Sequence, residues 1–394
     1  MPQFDIIRHG DALLALKPEW DDLWLRSPHA SYYQSAAYAI HSWQHVAEPN
    51  GCRLFCVSAR SEGRLRLVWP LKIHRKGLWR IVEPLASNAA EDTDVLAEDG
   101  AAGSACVGEA LAIVRDRSGV DVIDLPYVSA GTELGTQVRH ALGAGHPNLN
   151  PFLTWQRGES FEAYRESLSR STRKVVDKKH RRLSGMGALR FEVVRGEDRI
   201  VEATRTLLRY KRVWSRKLAE TGAYVHAPHF ERFLTAITLA STDERQGMRL
   251  FVLSLDGVAL AVQSAAVGHR VDWLAAAYHP DHHQLSPGIV LNEYCLRWAH
   301  ARGLAVMMGP GQQANKEFWC RRQVYRSASY KVPASPWGAA AFRAMALRRA
   351  VGTLRRHGLG GVLVGAARAS DAHASDAHAV PDLDPVRPPQ GSSL

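Results

Sequence analysis

The stretch AAAYHPDHHQLSPGIVLNEY, Ala275 to Tyr294, joins the end of an apolar run to the start of a helix. Ser286 can cap that helix, and Pro287 fits its first position. A helix start commonly carries Asp or Glu, because the macrodipole favours negative charge there. Here Pro287, Gly288, Ile289 and Val290 follow the cap, and the first carboxylate is Glu293. A helix start bare of carboxylates leaves backbone N–H groups open to an anion. Gly288 lets a pyrophosphate come close. The small side chains of Ala275, Ala276 and Ala277, ahead of Tyr278, let an extended ligand lie along a strand. Together these residues suit a phosphorylated, flexible cofactor, phosphates on the helix and arm along the strand. They also suit a plain Ser-Pro cap beside a tightly packed strand.

Tyr278, His279, Asp281, His282 and His283 stand next to that stretch. A histidine there, His279 first, could take a proton from an attacking amine or hydroxyl. The histidines lack the ligand spacing of a zinc site, so no metal is expected. A second kind of chemistry lies in SFEAYRESLSRSTRKVVDKKHRRLSG, which carries Arg165, Arg170, Arg173, Lys174, Lys178, Lys179, Arg181 and Arg182. Such a basic helix could grip RNA. It lacks interleaved aromatic residues, and it reads as well as a solvated helix face.

These residues need elements to position them. Met248–Leu255 reads as a strand, and Asp256-Gly257 after it is a strong hairpin signal. Val258–Val267 and Val271–Tyr278 follow as strands, then the helix from Ser286 to Gly303, then the apolar run Leu304–Gly309. The first half repeats this β-β-β-α-β order. Arg53–Arg60, Arg64–Ile73 and Leu78–Leu85 read as strands, Ser104–Arg117 as a helix and Val120–Val128 as the last strand. Corresponding elements lie about 180–195 residues apart, which indicates a duplicated α/β unit. Glu98 and Asp99 stand near the start of the first helix, where they would repel a phosphate. The second copy is therefore the expected anion binder. Pro151–Gln246 between the copies is largely helical in pattern. Beyond Tyr330, GAAAFRAMALRRAVGTLRRHG is a basic amphipathic helix with Ala344, Leu347, Val351 and Leu354 on one face. The tail, with its repeated SDAHA, is too polar to bury a core.

Composition sets the bounds. The chain has 394 residues with 46% hydrophobic and 23% charged content, ordinary for a globular protein of two domains. No apolar run is long enough for a membrane span. The N-terminal residues lack the pattern of a signal peptide. Five scattered cysteines argue against a disulfide frame and for a reducing compartment, so a cytoplasmic protein is expected. The net charge of +11 suits polyanionic partners without choosing among them.

The segment AAYHPDHHQLSPGIVLNEYCLRWAHARGL, followed by MGPGQQANKEFW, resembles the CelD-like branch of the GNAT acyltransferase superfamily, which is related to the Fem peptidyltransferases. SLSRSTRKVVDKKHRRLSGMGALRFEVV and LLRYKRVW resemble its entry into a second domain. The resemblance spans residues 30 to 330 and is most specific over 161–319. It implies tandem GNAT-like α/β domains, each a mixed, mostly antiparallel sheet flanked by helices. It also implies acyl-CoA as co-substrate of the second domain, held by Ala276, Ala277, Tyr278, Ser286, Gly288, Ile289 and Val290. The family pattern D-F-x-x-G-x-x-x-Y-K is altered here. Met307-Met308 stands at its acidic start and Asn315 in place of Tyr, while Gly311 and Lys316 are kept. Lys316, on a Gly-rich loop beyond a strand, is then a catalytic candidate that could hold an anionic acceptor or steady transition-state charge. Trp214 and Gln263 could wall the acceptor, although Trp214 also suits a plain core position.

The expected domains are 1–150, without cofactor; 151–335, the acyltransferase; and 336–394, the basic helix and tail. The expected reaction moves an acyl group to an amine or hydroxyl of a sugar or related acceptor in surface polysaccharide or lipid assembly. A small-molecule or glycan acceptor is the expected partner, with peripheral membrane contact open to the C-terminal basic helix. The competing readings are a Fem-like aminoacyl-tRNA-dependent peptidyltransferase and a non-catalytic RNA- or membrane-binding module.

Overall fold

The computed structural model describes residues 2–86, 90–218, 223–310, 314–340 and 342–344. Met1–Val332 form one compact unit and Pro333–Leu394 a second. In the second, a helical turn starts after Ser335, whose Oγ accepts from Gly338 N–H at 3.0 Å. The expected basic helix beyond Ala344, and the tail, lie outside the described residues.

In the first half of the large unit, β1 (Gln3–Ile7) leads into α1 (Gly10–Ala15), α2 (Lys17–Leu25) and α3 (Ala36–Ser42). Next come β2 (Arg53–Ser61), β3 (Arg64–Lys76), β4 (Trp79–Pro84), the short β5 (Leu96–Ala97), α4 (Ala101–Arg117) and β6 (Val122–Ser129). The second half repeats the order with β9 (Gly247–Leu255), β10 (Val258–Val267), β11 (Val271–Tyr278), α10 (Pro287–His300) and β12 (Val306–Met307). Between them run α5 (Glu133–Leu142), β7 (His146–Leu153), α6 (Phe161–Ser167), α7 (Arg170–Ser184), β8 (Leu189–Val193), α8 (Glu197–Leu218) and α9 (Pro228–Leu239). The single turn α11 (Ala314–Glu317) and β13 (Val324–Pro333) complete the elements of the large unit. The fold is thus two α/β halves of the same element order on one mixed, mostly antiparallel sheet.

Local chemistry explains much of this. Asp256 and Gly257 both take positive φ (48° and 83°), as do Glu62 and Gly63 (54° and 73°), so each half opens on the same tight hairpin. In each half the third strand pairs parallel with the strand after the helix, Ile81 with Val122 and Val271 with Val306. Gly303 takes φ 65°, and Leu304 N–H reaches back to the Ala299 carbonyl at 3.1 Å, which closes α10.

One expectation needs correction and a second needs refining. Ser286 precedes α10 but does not cap it through its side chain. Its left-handed backbone (φ 53°, ψ 51°) is not the extended conformation from which a hydroxyl reaches the first helical amides. The first turn of α4 holds no carboxylate either. Glu98 lies before it and is ion-paired with Arg26 and Arg66. Asp99 directly precedes the Gly100 cap, so the acidic approach that the sequence suggests is present, but it lies ahead of the first turn.

The sheet runs β1-β2-β3-β4-β6-β13-β7-β12-β11-β10-β9-β8, with β5 pairing to β3. Each half ends in the other's territory. β7, the last strand of the first half, pairs with β12, and β13 from the chain's end lies between β6 and β7. The expected domain boundary at 150 falls inside β7. One core lies under α10, lined by Trp273, Val290, Leu291 and Leu296, and another under α8 and α9, lined by Leu207, Phe233, Leu274 and Ala277.

Candidate active site

β11 and β12 pair only at Val271–Val306 and Asp272–Met307. Beyond Asp272, β11 continues to Tyr278 bonded to β10 alone. The register with β10 shifts between Ser264 and Ala265, which leaves Leu274 as a bulge. His279 N–H donates to the Leu260 carbonyl at 2.8 Å. Strand alternation then turns the N–H and C=O of Ala276 and Tyr278 away from β10, into the gap where β12 has parted.

That gap has an unusual lining. Ala276 is the one exposed residue in a strand whose other positions are buried or half-buried. Its cross-strand neighbour Gln263 is 1% exposed, and Gln263 Oε1 has no hydrogen-bond partner among the described residues. A buried acceptor left without a donor is costly, and its presence beside an open strand edge points to a ligand N–H. Two side chains of α8 reach the same edge. Lys211 Nζ donates to the Ala276 carbonyl at 3.3 Å, and Trp214 Nε1 donates to the Tyr278 carbonyl at 3.1 Å.

Charged groups from three separate segments converge here. Gly309, just past β12, has φ 79°. A Cβ at Gly309 would lie 1.8 Å from Glu91 Oε2 and 3.4 Å from Lys316 Nζ, so only glycine lets both side chains approach. Lys316 Nζ donates to the Pro310 carbonyl at 2.9 Å. Burial pushes the Glu91 carboxyl up to about 8, against the opposing pull of Lys316 and Lys211. Burial likewise lowers Lys316 and Lys211, with the Glu91 charge holding each partly up. The strand end itself offers no acid, since Met307 and Met308 are buried in the core. The first half supplies the carboxylate instead.

Behind this cluster lies a buried ion network. Arg270 binds Asp92 through Nη2 and Asp272 through Nε at 2.9 Å. Asp92 Oδ1 and Asp272 Oδ2 have no hydrogen-bond partner among the described residues. The network ties the loop that carries Glu91 to the start of β11.

The helix start stands beside the strand end. The first turn of α10 has no acidic residue. A Cβ at Gly288 would meet the Tyr278 ring at 3.9 Å, an ordinary contact, so Gly288 faces the end of β11. Val290 is wholly buried in the core, and Ile289 N–H is taken by the Ser286 carbonyl at 3.0 Å. Both side chains pack against the core, and the Ile289 N–H is not free for a ligand. Glu293 is ion-paired with Arg165 at 2.8 Å, and Lys179 Nζ reaches the Gln284 carbonyl at 3.1 Å, just ahead of the helix.

Residues 170–318 match the family model of the acetyltransferase (GNAT) domain. That segment, from α7 to the turn after β12, carries a GNAT domain. The chain's fold is similar to the crystal structure of FemX, with a TM-score of 0.57 at 12% identity over 81% of this chain and 95% of that one. It is also similar to a conserved protein of unknown function from Bacteroides thetaiotaomicron, with a TM-score of 0.50 at 8% identity over 84% of this chain and 99% of that one. At these identities the likeness is one of fold. No curated protein matches the chain. The domain match supports acyl transfer as the general chemistry.

Within this domain the structure gathers Ala276, Tyr278, Gln263, Trp214 and Lys316 around one gap, with Gly288 at its end. His279 follows Tyr278 at the end of β11. Its ring packs edge-on to Tyr210 at 5.0 Å and lies 4.8 Å from His282, and its Nδ1 accepts from Asp281 N–H at 3.3 Å. Glu91 and Lys211 are the functional candidates that the sequence reading missed. Neither sits in a pattern that singles it out; only the fold brings them together. Gly311 and the rest of 311–313 lie outside the described residues.

Proposed function

We propose that this chain transfers an acyl group from acyl-CoA to an amine or hydroxyl of a sugar-type acceptor, through direct attack within one ternary complex. The observation that carries this reading is the parted β11–β12 edge, with Glu91, Lys316 and Lys211 converging on Ala276 beside a helix start free of carboxylates. The thioester arm would run along Ala276–Tyr278, its amide N–H meeting Gln263 Oε1, and its phosphates would sit at the first turn of α10. Glu91 would accept the proton that the attacking N–H or O–H gives up. The new bond forms at the thioester carbonyl, the C–S bond breaks, and the sulfur leaves with a proton. Backbone N–H groups of β11 facing the gap would stabilise the oxyanion, and the Lys316 ammonium would steady the charge nearby. In this proposal residues 151–335 bear the thioester, and residues 1–150 add Glu91 and shape the acceptor side. A sugar acceptor of surface polysaccharide or lipid assembly, and a cytoplasmic setting, belong to the same proposal. Among the described residues no helix is long and apolar enough to cross a membrane.

The test is CoA binding. Calorimetric titration should give one site per chain, and Gly288→Glu should abolish it by setting a carboxylate among the phosphates. Unchanged CoA affinity in a folded Gly288→Glu protein would sink the proposed cofactor site.

A further inference from the structure

A second cleft, of about 770 Å³, opens between the first half of the molecule and α9 and shares no residue with the gap at β11. That volume suits a small-molecule ligand. Its floor is the β3–β4 pair, and its charges are unusual for a sheet. Lys72 lies inside β3 and is 3% exposed. Burying an ammonium is costly unless it is paired, and Glu83, its register partner on β4, stands 3.2 Å from Lys72 Nζ. The same Glu83 oxygen lies 3.4 Å from His74 Nε2, so one carboxylate faces two basic side chains.

Further along the pair, Arg75 stands directly opposite Arg80 in the register. Like charges opposite one another destabilise a strand pair. Both are exposed and both line the cleft. Arg80 lies 3.7 Å from Asp121, and Arg75 forms no ion pair among the described residues. Arg53 adds another cation, and among the described residues Glu83 is the only carboxylate in the lining. Strand alternation turns Arg75 and Arg80 to the face opposite Lys72, His74 and Glu83, so Glu83 does not relieve their repulsion at the rim of the cleft. An external dianion would turn that repulsion into a bidentate clamp. Leu85 and Phe230 give the cleft an apolar side against which a ring or chain can lie.

We propose that this cleft binds a phosphate-bearing small molecule, its phosphate held between Arg75 and Arg80. The proposal is independent of acyl transfer. Two sources share this chemistry, a phosphorylated sugar and free inorganic phosphate or pyrophosphate, and titration separates them. Calorimetry with pyrophosphate and with glucose 1-phosphate should show saturable binding, while glucose shows none. Tighter binding of glucose 1-phosphate identifies a sugar phosphate as the ligand class, and tighter binding of pyrophosphate identifies the free anion. Arg75→Glu with Arg80→Glu should weaken both at least ten-fold and leave CoA titration unchanged. If that charge reversal fails to fold, Arg75→Gln, at an exposed position, should still weaken both several-fold. Absence of saturable binding to the unaltered protein, or equal affinity in a folded variant, overturns the proposal.

Discussion

Desolvation beside Gly309 makes the half-buried Glu91 hold its proton more tightly than an ordinary carboxylate, against the pull of Lys316 and Lys211. A group that works as a base must first lose that proton. Turnover should therefore rise with pH through about 8, the value to which burial lifts Glu91. Glu91→Gln should flatten that rise and lower turnover about 10²–10⁴-fold, with CoA affinity unchanged. A glutamine variant with the original pH profile would make Glu91 a structural residue. Lys316→Met keeps most of the stem's packing and removes the charge. Turnover should fall at constant CoA affinity if the ammonium acts in the transition state. Loss confined to the acceptor's apparent affinity would instead mark a binding role. A variant with full turnover and unaltered affinities would show Lys316 to be an ordinary lysine.

At the scale of elements, β11 depends on the ions at its base. Arg270 is enclosed with Asp92 and Asp272, so Arg270→Met would leave two buried carboxylates without their counter-charge. Denaturant unfolding should show a loss of about 3–5 kcal/mol. The pH dependence has a definite sign. Burial raises Asp272 to about 6 and Asp94 to about 7, above their ordinary value of 3.8. Between those limits the folded chain binds protons that the unfolded chain does not. Their contribution to stability is thus complete at low pH and is lost as pH climbs from about 4 to about 7. The unfolding midpoint should fall over that range, more steeply in Arg270→Met; a flat profile would contradict the shifts. Most of these elements were legible beforehand. The Asp-Gly hairpin, β10, β11 and α10 follow from turn chemistry and periodicity, which are local. The site was legible only in part. Gly288 and the alanines sit in one contiguous pattern, whereas Glu91 lies in a loop and Lys211 in mid-helix, with no local rule to mark either. β7 was missed as well. Its prolines, Pro147 and Pro151, weaken any strand signal, and only its neighbours β12 and β13 make it a strand.

At the scale of the molecule, the halves are bound by exchange. Without β13, β6 keeps only β4; without β7, β12 keeps only its short pairing with β11. A chain ending after Gln323 should fail to give a folded first half, and separate pieces 1–150 and 151–394 should not fold alone. Circular dichroism and heteronuclear NMR of the pieces would check this, and a well-dispersed spectrum from 1–150 would refute it. The intact unit should melt in one transition. The same exchange sets a clock on synthesis. After β6 leaves the ribosome, about 200 residues must follow before β13 can lie beside it, which takes about 10–40 s at ordinary elongation rates. For that interval the nascent chain carries a bare hydrophobic strand edge in the company of its neighbours on the polysome. Slowed elongation should therefore lower the soluble yield of this protein more than that of a chain whose sheets close as they emerge.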